Sequence, residues 1–216
     1  MKAIQQLIPC NAQVVLAGDP NQTLYSYIYG DEASSKFLLD PKAHFFSTVP
    51  WKRHYLSKSY RLPPSIAATV SAVWGITIES AKPEMKLPVF LLMNNPWSQE
   101  VTRLIMAQVH VHGGRNVLIL SQSVRGVGSP VRRHVNAIIS QDPSMAFQIR
   151  DSSRGFDTEA TSADAIRVTT YCGSKGIEAD VVIVFGIDRR PLGNDVGVAL
   201  SRAKRKLFII QSPTET

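Results

Sequence analysis

The sequence predicts an α/β protein in which a mostly parallel sheet is flanked by helices. Two apolar runs support this prediction, because residues 116–122 and 180–185 are rich in Val, Ile and Leu and do not alternate with polar residues. Such a strand is buried on both faces, as in a parallel sheet covered by helices. A third observation is the order strand, helix, strand over residues 87–122, which is typical of a crossover between parallel strands.

Length and composition set bounds on the class of protein. The chain has 216 residues, of which 44% are hydrophobic, so it can bury one sizeable core. Its net charge of +7 favours an anionic partner, because Lys and Arg beside phosphates release counterions. Cys10 and Cys172 are too few for a disulfide framework. No apolar run reaches membrane-spanning length, so we expect a cytoplasmic protein with no membrane partner.

The N-terminal part is predicted to carry a helix over residues 3–8 and a short strand over residues 13–17. A turn from Gly18 to Gln22 follows at once. Nucleotide chemistry in open α/β sheets is found at such turns, at the carboxyl ends of the strands. A short helix and a linker are predicted over residues 31–51.

The middle of the chain is predicted to alternate helices and strands. Pro63 and Pro64 end an extended piece and begin a helix with an apolar stripe. The elements expected after it are a strand over 87–93, helices over 99–110 and 130–140, strands over 116–122 and 146–150, and a polar loop over 151–164. Arg132, Arg133 and His134 are predicted on the exposed side of the second of these helices.

No metal site is predicted. His110 and His112 lie at a predicted helix end, and no further Cys, Asp or His completes a set of ligands around them. We interpret both as solvent-facing residues.

The C-terminal part is predicted to hold a strand over 166–171, a loop over 172–176 and a strand over 180–185. Gly173 and Gly176 leave the backbone of the loop open to a ligand. An ordinary exposed turn is the alternative interpretation of the same residues. A helix over 194–203 and a last strand over 207–211 complete the chain.

The loop and the strand after it resemble the fifth motif of superfamily 1 helicases of the UvrD/PcrA/Rep type, usually written T-x-H-x-x-K-G-L-E-x-D-x-V. The matching residues are Thr170, Lys175, Gly176, Glu178, Asp180 and Val182. Cys172 stands where the family often has His. The resemblance implies that Gly176 and Glu178 bind the nucleotide, with Glu178 on the ribose. It also implies that Thr170 and Cys172 contact a bound single strand.

Residues 18–27 resemble the third motif of the same family, G-D-x-x-Q-x-I-Y-x-(aromatic). The resemblance implies that Gln22 hydrogen-bonds the terminal phosphate and links it to the bound strand. Tyr25 and Tyr27 would stack on bases, at roughly 1–3 kcal/mol for each base. Half-buried packing in a turn is the alternative for the two tyrosines.

Tyr60 and Arg61, just before the predicted helix, resemble the fourth motif, L-x-x-N-Y-R-S. The match is partial, because Ser59 and Leu62 depart from it. The resemblance implies that Tyr60 stacks on the nucleotide base and that Arg61 reaches the γ-phosphate, a task for which a planar, permanently charged guanidinium is suited. A surface ion pair is the alternative for Arg61.

Residues 198–207 resemble the sixth motif, V-A-x-T-R-A-x-x-x-L, with Ser201 in place of Thr. The resemblance implies that Arg202 is an arginine finger, which stabilises charge on the transferring phosphate. A basic helix end that interacts favourably with the helix dipole is the alternative.

The four stretches follow one another in family order. They imply a RecA-like fold, of the kind that forms the second lobe of P-loop NTPase motors. Residues 1–44 would be a remnant of the first RecA-like lobe and residues 45–216 the C-terminal lobe. No G-x-x-x-x-G-K-[ST] occurs in the chain, and no acidic pair precedes the third motif-like stretch. We therefore expect ATP with Mg²⁺ to bind only beside an intact first lobe, in cis or in trans, and we expect the isolated chain to be inactive.

Single-stranded DNA is the partner that this resemblance implies. Two alternatives stay open. One is a non-catalytic module, derived from a helicase lobe, that binds single-stranded nucleic acid or a protein. The other is an RNA-virus-type helicase of the same superfamily.

Overall fold

The computed structural model describes residues 13–22, 36–47, 49–82, 89–93, 95–124, 128–151, 155–156, 162–187 and 193–211. Contacts within the chain form two compact units, Met1–Leu56 and Ser57–Thr216. This division falls between Leu56 and Ser57, whereas the sequence placed the boundary between His44 and Phe45. The derivation of the first unit from a RecA-like lobe stays a prediction.

The first unit contains little regular structure in its described part. It has one short helix, α1 (Lys36–Leu39), and 3-10 turns at Pro20–Gln22 and Pro41–Ala43. The strand predicted over residues 13–17 was wrong. Val15 is 80% exposed, and no strand among the described residues pairs with this stretch. Without a neighbouring strand, a short apolar run has no ladder of hydrogen bonds to join.

The second unit is built on a seven-stranded sheet, beside a small two-stranded one. The strands are β1 (Lys58–Ser59), β2 (Glu79–Ser80), β3 (Val89–Met93), β4 (Val117–Ser121), β5 (Phe147–Asp151), β6 (Gly155–Phe156), β7 (Ile166–Thr170), β8 (Ala179–Phe185) and β9 (Ala203–Gln211). The large sheet has the order β3-β9-β8-β4-β7-β5-β6. All neighbouring pairs are parallel except β5 with β6.

Helices cover both faces of the large sheet. They are α2 (Pro64–Trp74), α3 (Gln99–His112), α4 (Pro130–Gln141) and α5 (Asn194–Leu200). Apolar residues of α2 and α5 form one core with β4, β8 and β9, and those of α3 and α4 form a second core on the other face. The predicted fold class, an α/β protein with a mostly parallel sheet flanked by helices, is confirmed.

Most predicted elements of the second unit are present, but the end of the chain differs. The helix predicted over 194–203 ends at Leu200, and β9 begins at Ala203, four residues before the predicted strand. Ala203 pairs with Ala179 of β8. The strand is longer than its apolar run because its first residues join the sheet through their backbone, which hydropathy does not report.

Candidate functional site

The segment between β7 and β8 runs from one edge of the sheet to the other. Both strands are parallel to β4, which lies between them. Thr170 ends β7 at the carboxyl edge, and Glu178 precedes β8 at the amino edge. A strand of seven residues, the length of β8, spans about 20 Å. The predicted residues of the fifth motif-like stretch therefore fall into two groups at opposite edges.

At the carboxyl edge, Thr170 and Cys172 shape a turn. The side-chain oxygen of Thr170 accepts a hydrogen bond from the backbone N–H of Gly173 at 3.1 Å. Cys172 is partly exposed and stands at the start of the 3-10 turn Cys172–Ser174. The hydroxyl of buried Tyr171 anchors the segment by donating to the backbone carbonyl of Phe185. The strand contacts implied for Thr170 and Cys172 stay predictions.

At the amino edge, Glu178 meets Arg61. The Nη1 atom of Arg61 lies 2.6 Å from Oε1 of Glu178, although 117 positions separate the two residues in the chain. Gly176, two residues before Glu178, has a φ of +81°, a left-handed conformation that favours glycine. The backbone thus turns at Gly176, shortly before Glu178, whose carboxylate binds the guanidinium of Arg61.

The backbone around Arg61 is held by neighbouring polar side chains. The hydroxyl oxygen of Ser59 accepts from the N–H groups of Arg61 and Leu62, at 3.3 and 3.1 Å. Lys82 Nζ donates to the carbonyl of Arg61 at 3.1 Å. The Nε atom of Arg61 is buried and has no hydrogen-bond partner among the residues that the structure describes. The guanidinium is therefore fixed on one side by Glu178 and keeps donors for a further acceptor.

Tyr60 projects from the same turn and is 75% exposed. The ammonium of Lys58 lies 5.9 Å from the centroid of its ring. A large exposed aromatic ring beside a fixed guanidinium offers a stacking surface. The structure thus brings Tyr60, Arg61 and Glu178 to one place.

Arg202 lies in the turn between α5 and β9, and its side chain folds back on the helix. Its Nε donates to the carbonyl of Val198 at 2.9 Å, and Nη2 donates to the Ser201 hydroxyl at 2.8 Å. The residue is only 3% exposed. In this position Arg202 satisfies a carbonyl in the last turn of α5, as in the alternative of a basic helix end. Its backbone carbonyl accepts from Ala179 at 3.2 Å, so its backbone adjoins the start of β8.

The third motif-like stretch lies in the first unit. The Gln22 side chain donates from Nε2 to Oδ2 of Asp19 at 2.8 Å, within the turn Pro20–Gln22. Tyr25 and Tyr27 lie outside the described residues. The roles implied for all three residues stay predictions.

The sequence interpretation missed Arg167. This half-buried side chain lies on β7, and its Nη2 donates to the backbone carbonyls of Glu178 at 2.7 Å and Arg115 at 2.9 Å. Burial, followed by the charge of Arg150, lowers the pKa of Arg167. The available signal was a charged residue between Ile166 and Val168 in a strand that is otherwise apolar at this point.

The prediction that His134 is exposed was wrong. Its ring is 1% exposed, and it bonds Thr102 Oγ1 through Nδ1 at 2.8 Å and the Pro96 carbonyl through Nε2 at 2.6 Å. A carbonyl only accepts, so Nε2 carries the hydrogen and Nδ1 accepts from the Thr102 hydroxyl. Helical spacing contains the signal, since His134 falls on one stripe with Val131 and Ile138.

We expect His134 to make the protein less stable in mild acid. Burial, opposed by the Pro96 carbonyl and assisted by Arg133, lowers the pKa of His134. The unfolded chain therefore binds the proton more readily, and the free energy of unfolding falls as the pH drops below about 6.5, by up to about 1.4 kcal/mol per pH unit. Urea titrations at about pH 7.5 and 5.5 measure this slope. A His134→Gln variant should be less stable but show a shallower slope. Equal slopes in both proteins would contradict the assignment.

The amino edge of β9 is basic. Lys204 and Arg205 approach the carboxylate of Asp180 at 3.7 and 3.8 Å. Lys206 Nζ donates to Nε2 of His112 at 3.3 Å, and burial, together with the charges of Lys206 and Arg205, lowers the pKa of His112. Two of these three consecutive cations therefore face one carboxylate, and the third contacts His112.

Two of the predictions from the sequence concerned metal binding and membrane spanning. Within the described ranges, no group of three or more His, Cys, Asp or Glu side chains could hold a metal ion. The same residues include no helix that is long and apolar enough to cross a bilayer.

Comparisons with known proteins give structural likenesses. No family model matches the chain, and no curated protein matches it. A solved structure, described as the C-terminal domain of a possible DNA helicase from Lactobacillus plantarum WCFS1, is 19% identical and has a TM-score of 0.47, over 72% of this chain and 88% of that one. A likeness at this TM-score carries no argument about function. The α/β assignment rests on the sheet topology.

Proposed function

We propose that the second unit is a helicase-type lobe that supplies one wall of an ATP site. The observation that carries this proposal is the contact between Arg61 and Glu178, at 2.6 Å. They come from the stretches that resemble the fourth and fifth helicase motifs. Their contact is the convergence that a shared nucleotide wall requires, and Tyr60 beside them is exposed.

Each of the three side chains has a distinct chemical task in this proposal. Arg61 gives its remaining N–H donors to phosphate oxygens, which a guanidinium binds strongly because both partners are charged. The second carboxylate oxygen of Glu178 accepts from a ribose hydroxyl. Tyr60 stacks on the base. The ion pair orients Arg61 and Glu178 before the nucleotide arrives, which lowers the ordering cost of binding.

In this proposal the side chain of Arg202 acts only after it has moved from its present position. To act as an arginine finger, its guanidinium must leave Val198 and Ser201. Each hydrogen bond given up costs about 0.5–1.5 kcal/mol net. A charge-assisted bond to a transferring phosphate offsets that cost. Closure of a P-loop lobe against the amino edge of β8 and β9 is the event that would release the side chain.

The experiment that tests the proposal is reconstitution of hydrolysis in trans. The purified chain is mixed with the first lobe of a superfamily 1 helicase, which carries the P-loop and the acidic pair, together with Mg²⁺, ATP and single-stranded DNA. We expect no turnover from either part alone and strand-stimulated turnover from the mixture. A first lobe in which the P-loop lysine is changed serves as the control. Turnover by the chain alone, or a silent mixture in which the two parts are shown to associate, would contradict the proposal.

A second candidate function is a non-catalytic platform for single-stranded nucleic acid. The basic edge at Lys204, Arg205 and Lys206 favours it, since three consecutive cations lie here and Asp180 pairs with two of them, Lys204 and Arg205. Fluorescence anisotropy with a labelled oligonucleotide, measured over a range of salt, separates the two functions. Binding with a steep salt dependence and no hydrolysis in the mixture supports the platform, because each phosphate contact releases counterions.

A further inference from the structure

One face of the large sheet changes character between β4 and β7. On β4, β8 and β9 this face is apolar and belongs to the core with α2 and α5. On β7 and β5, the apolar side chains belong to the opposite core, and the residues that alternate with them are polar. We call these four residues the polar square: Gln148, Arg150, Arg167 and Thr169.

The register of β5 and β7 makes the polar square a compact group. Gln148 pairs with Arg167, and Arg150 pairs with Thr169. Neighbouring parallel strands lie about 4.8 Å apart, so the four side chains emerge within reach of one another. A polar group on a sheet face that is elsewhere a core needs partners of its own.

Within the part of the chain that the structure describes, one side-chain atom of each β7 member of the polar square, Arg167 and Thr169, lacks such a partner. Thr169 is 2% exposed, and its Oγ1 is buried without a hydrogen-bond partner. The Nε atom of Arg167 is also buried without a hydrogen-bond partner. Unsatisfied buried groups are rare in native proteins, and each one calls for an explanation. Both are donors on the same face of β7, at positions two residues apart.

Among the described residues, no acidic side chain forms an ion pair with Arg167. Its Nη2 donates to the carbonyls of Glu178 and Arg115, which are dipoles and carry no net charge. Glu178 engages Arg61 with its carboxylate. Arg150, on the neighbouring strand, adds a second positive charge. A partly buried cation held only by carbonyls is the environment that attracts an anion.

We propose that the polar square binds a phosphate group. Its oxygens accept from the Thr169 hydroxyl and from Nε of Arg167, while Arg150 contributes charge and the Gln148 amide contributes a donor at the rim. None of the four residues is among those matched to the helicase motifs. The site therefore does not depend on the proposed nucleotide wall, although Arg167 touches the backbone of Glu178.

The first test compares two arginine variants in the isolated full chain. Inorganic phosphate is titrated at constant ionic strength and followed by calorimetry and by thermal stability. We expect Arg167→Gln to bind phosphate at least about tenfold more weakly than the unchanged chain, because it loses a charge-assisted hydrogen bond. Arg133→Gln is the matched control, since Arg133 is exposed on α4 and its replacement by Gln removes the same charge. Equal affinities of the two variants, or no binding of phosphate by the unchanged chain, would overturn the proposal.

The second test uses Thr169→Val, which keeps the shape of the side chain and removes the hydroxyl. We expect this variant to melt at the same temperature as the unchanged chain or higher without phosphate, because an unsatisfied buried group disappears. Its phosphate affinity should fall about threefold to tenfold. A lower melting temperature together with unchanged affinity would show that the hydroxyl has a structural role only, and the proposal would fail.

Two further ligands distinguish the sources of the phosphate group. ATP without Mg²⁺ and a short oligothymidylate are titrated into the same variants. Tighter binding of ATP than of inorganic phosphate, lost in Arg167→Gln, identifies a nucleotide phosphate. Tighter binding of the oligonucleotide, lost in the same variant, identifies a nucleic-acid backbone. If both ligands bind Arg167→Gln and Arg133→Gln equally, the polar square is not a phosphate site. This holds whether or not the mixture of lobes hydrolyses ATP.

Discussion

An Arg61→Ala variant, assayed beside an intact first lobe, is expected to hydrolyse ATP at least about a hundredfold more slowly than the unchanged chain. The reason is that Arg61 supplies fixed donors at the place where phosphate charge develops. A contribution of the ion pair with Glu178 to folding is not a sufficient explanation for an arginine at position 61. The paired side chains are 34% and 38% exposed, and pairs of that kind contribute about 1 kcal/mol or less to folding.

The control for this prediction is stability. Urea unfolding of Arg61→Ala should give a free energy within about 1 kcal/mol of the unchanged chain. An Arg133→Ala variant, which removes an exposed arginine from α4, should change neither turnover nor stability. A stable Arg61→Ala protein with full turnover in the mixture would remove Arg61 from the site.

A Gly197→Ala variant is expected to lower the free energy of unfolding by about 1–3 kcal/mol. Gly197 lies on α5, and a Cβ added there would come within 2.0 Å of Trp74 Nε1 and 2.3 Å of its Cε2. The indole of Trp74 donates to the Asn194 carbonyl at 3.4 Å, so the ring lies across the start of α5. The methyl group must push α2 and α5 apart. Urea unfolding followed by tryptophan fluorescence measures the loss.

Gly128→Ala is the matched control for this substitution. An added Cβ at Gly128 meets no atom within 4 Å, and the residue is exposed just before α4. Its unfolding free energy should equal that of the unchanged chain or exceed it slightly, because alanine restricts the unfolded state. If both variants lose the same stability, the contact between Trp74 and Gly197 is not what limits the approach of the two helices.

Apolar pattern predicted the sheet and its helices well. The buried residues of β8 are all apolar, and those of β4 are apolar except Ser121 at its end, and that pattern has few interpretations. The start of β9 at Ala203 was missed, because backbone pairing extends the strand through charged residues. Pattern also failed at residues 13–17, where a run of the right composition pairs with no strand in the described ranges.

The residues of the candidate site were predicted with uneven success for a physical reason. The resemblance to motifs predicted Arg61 and Glu178 as site residues, and the structure brings them into contact. Spacing does not report which way a side chain folds, so the burial of Arg202 on α5 was not foreseen. Arg167 matched no motif, and its importance emerges only when the strands are placed side by side.

The segment that crosses from Thr170 to Glu178 has almost no spare length. Eight extended residues reach at most about 26–29 Å. Its 3-10 turn advances only about 2.0 Å per residue, and the straight path between the two strand ends is itself about 22 Å. Seven extended residues would reach at most about 23–25 Å, so the loss of one residue would require the 3-10 turn to be drawn out or β8 to slide. A slide of one position would reverse the two faces of β8, so this connection tolerates a change of side chain far better than a change of length.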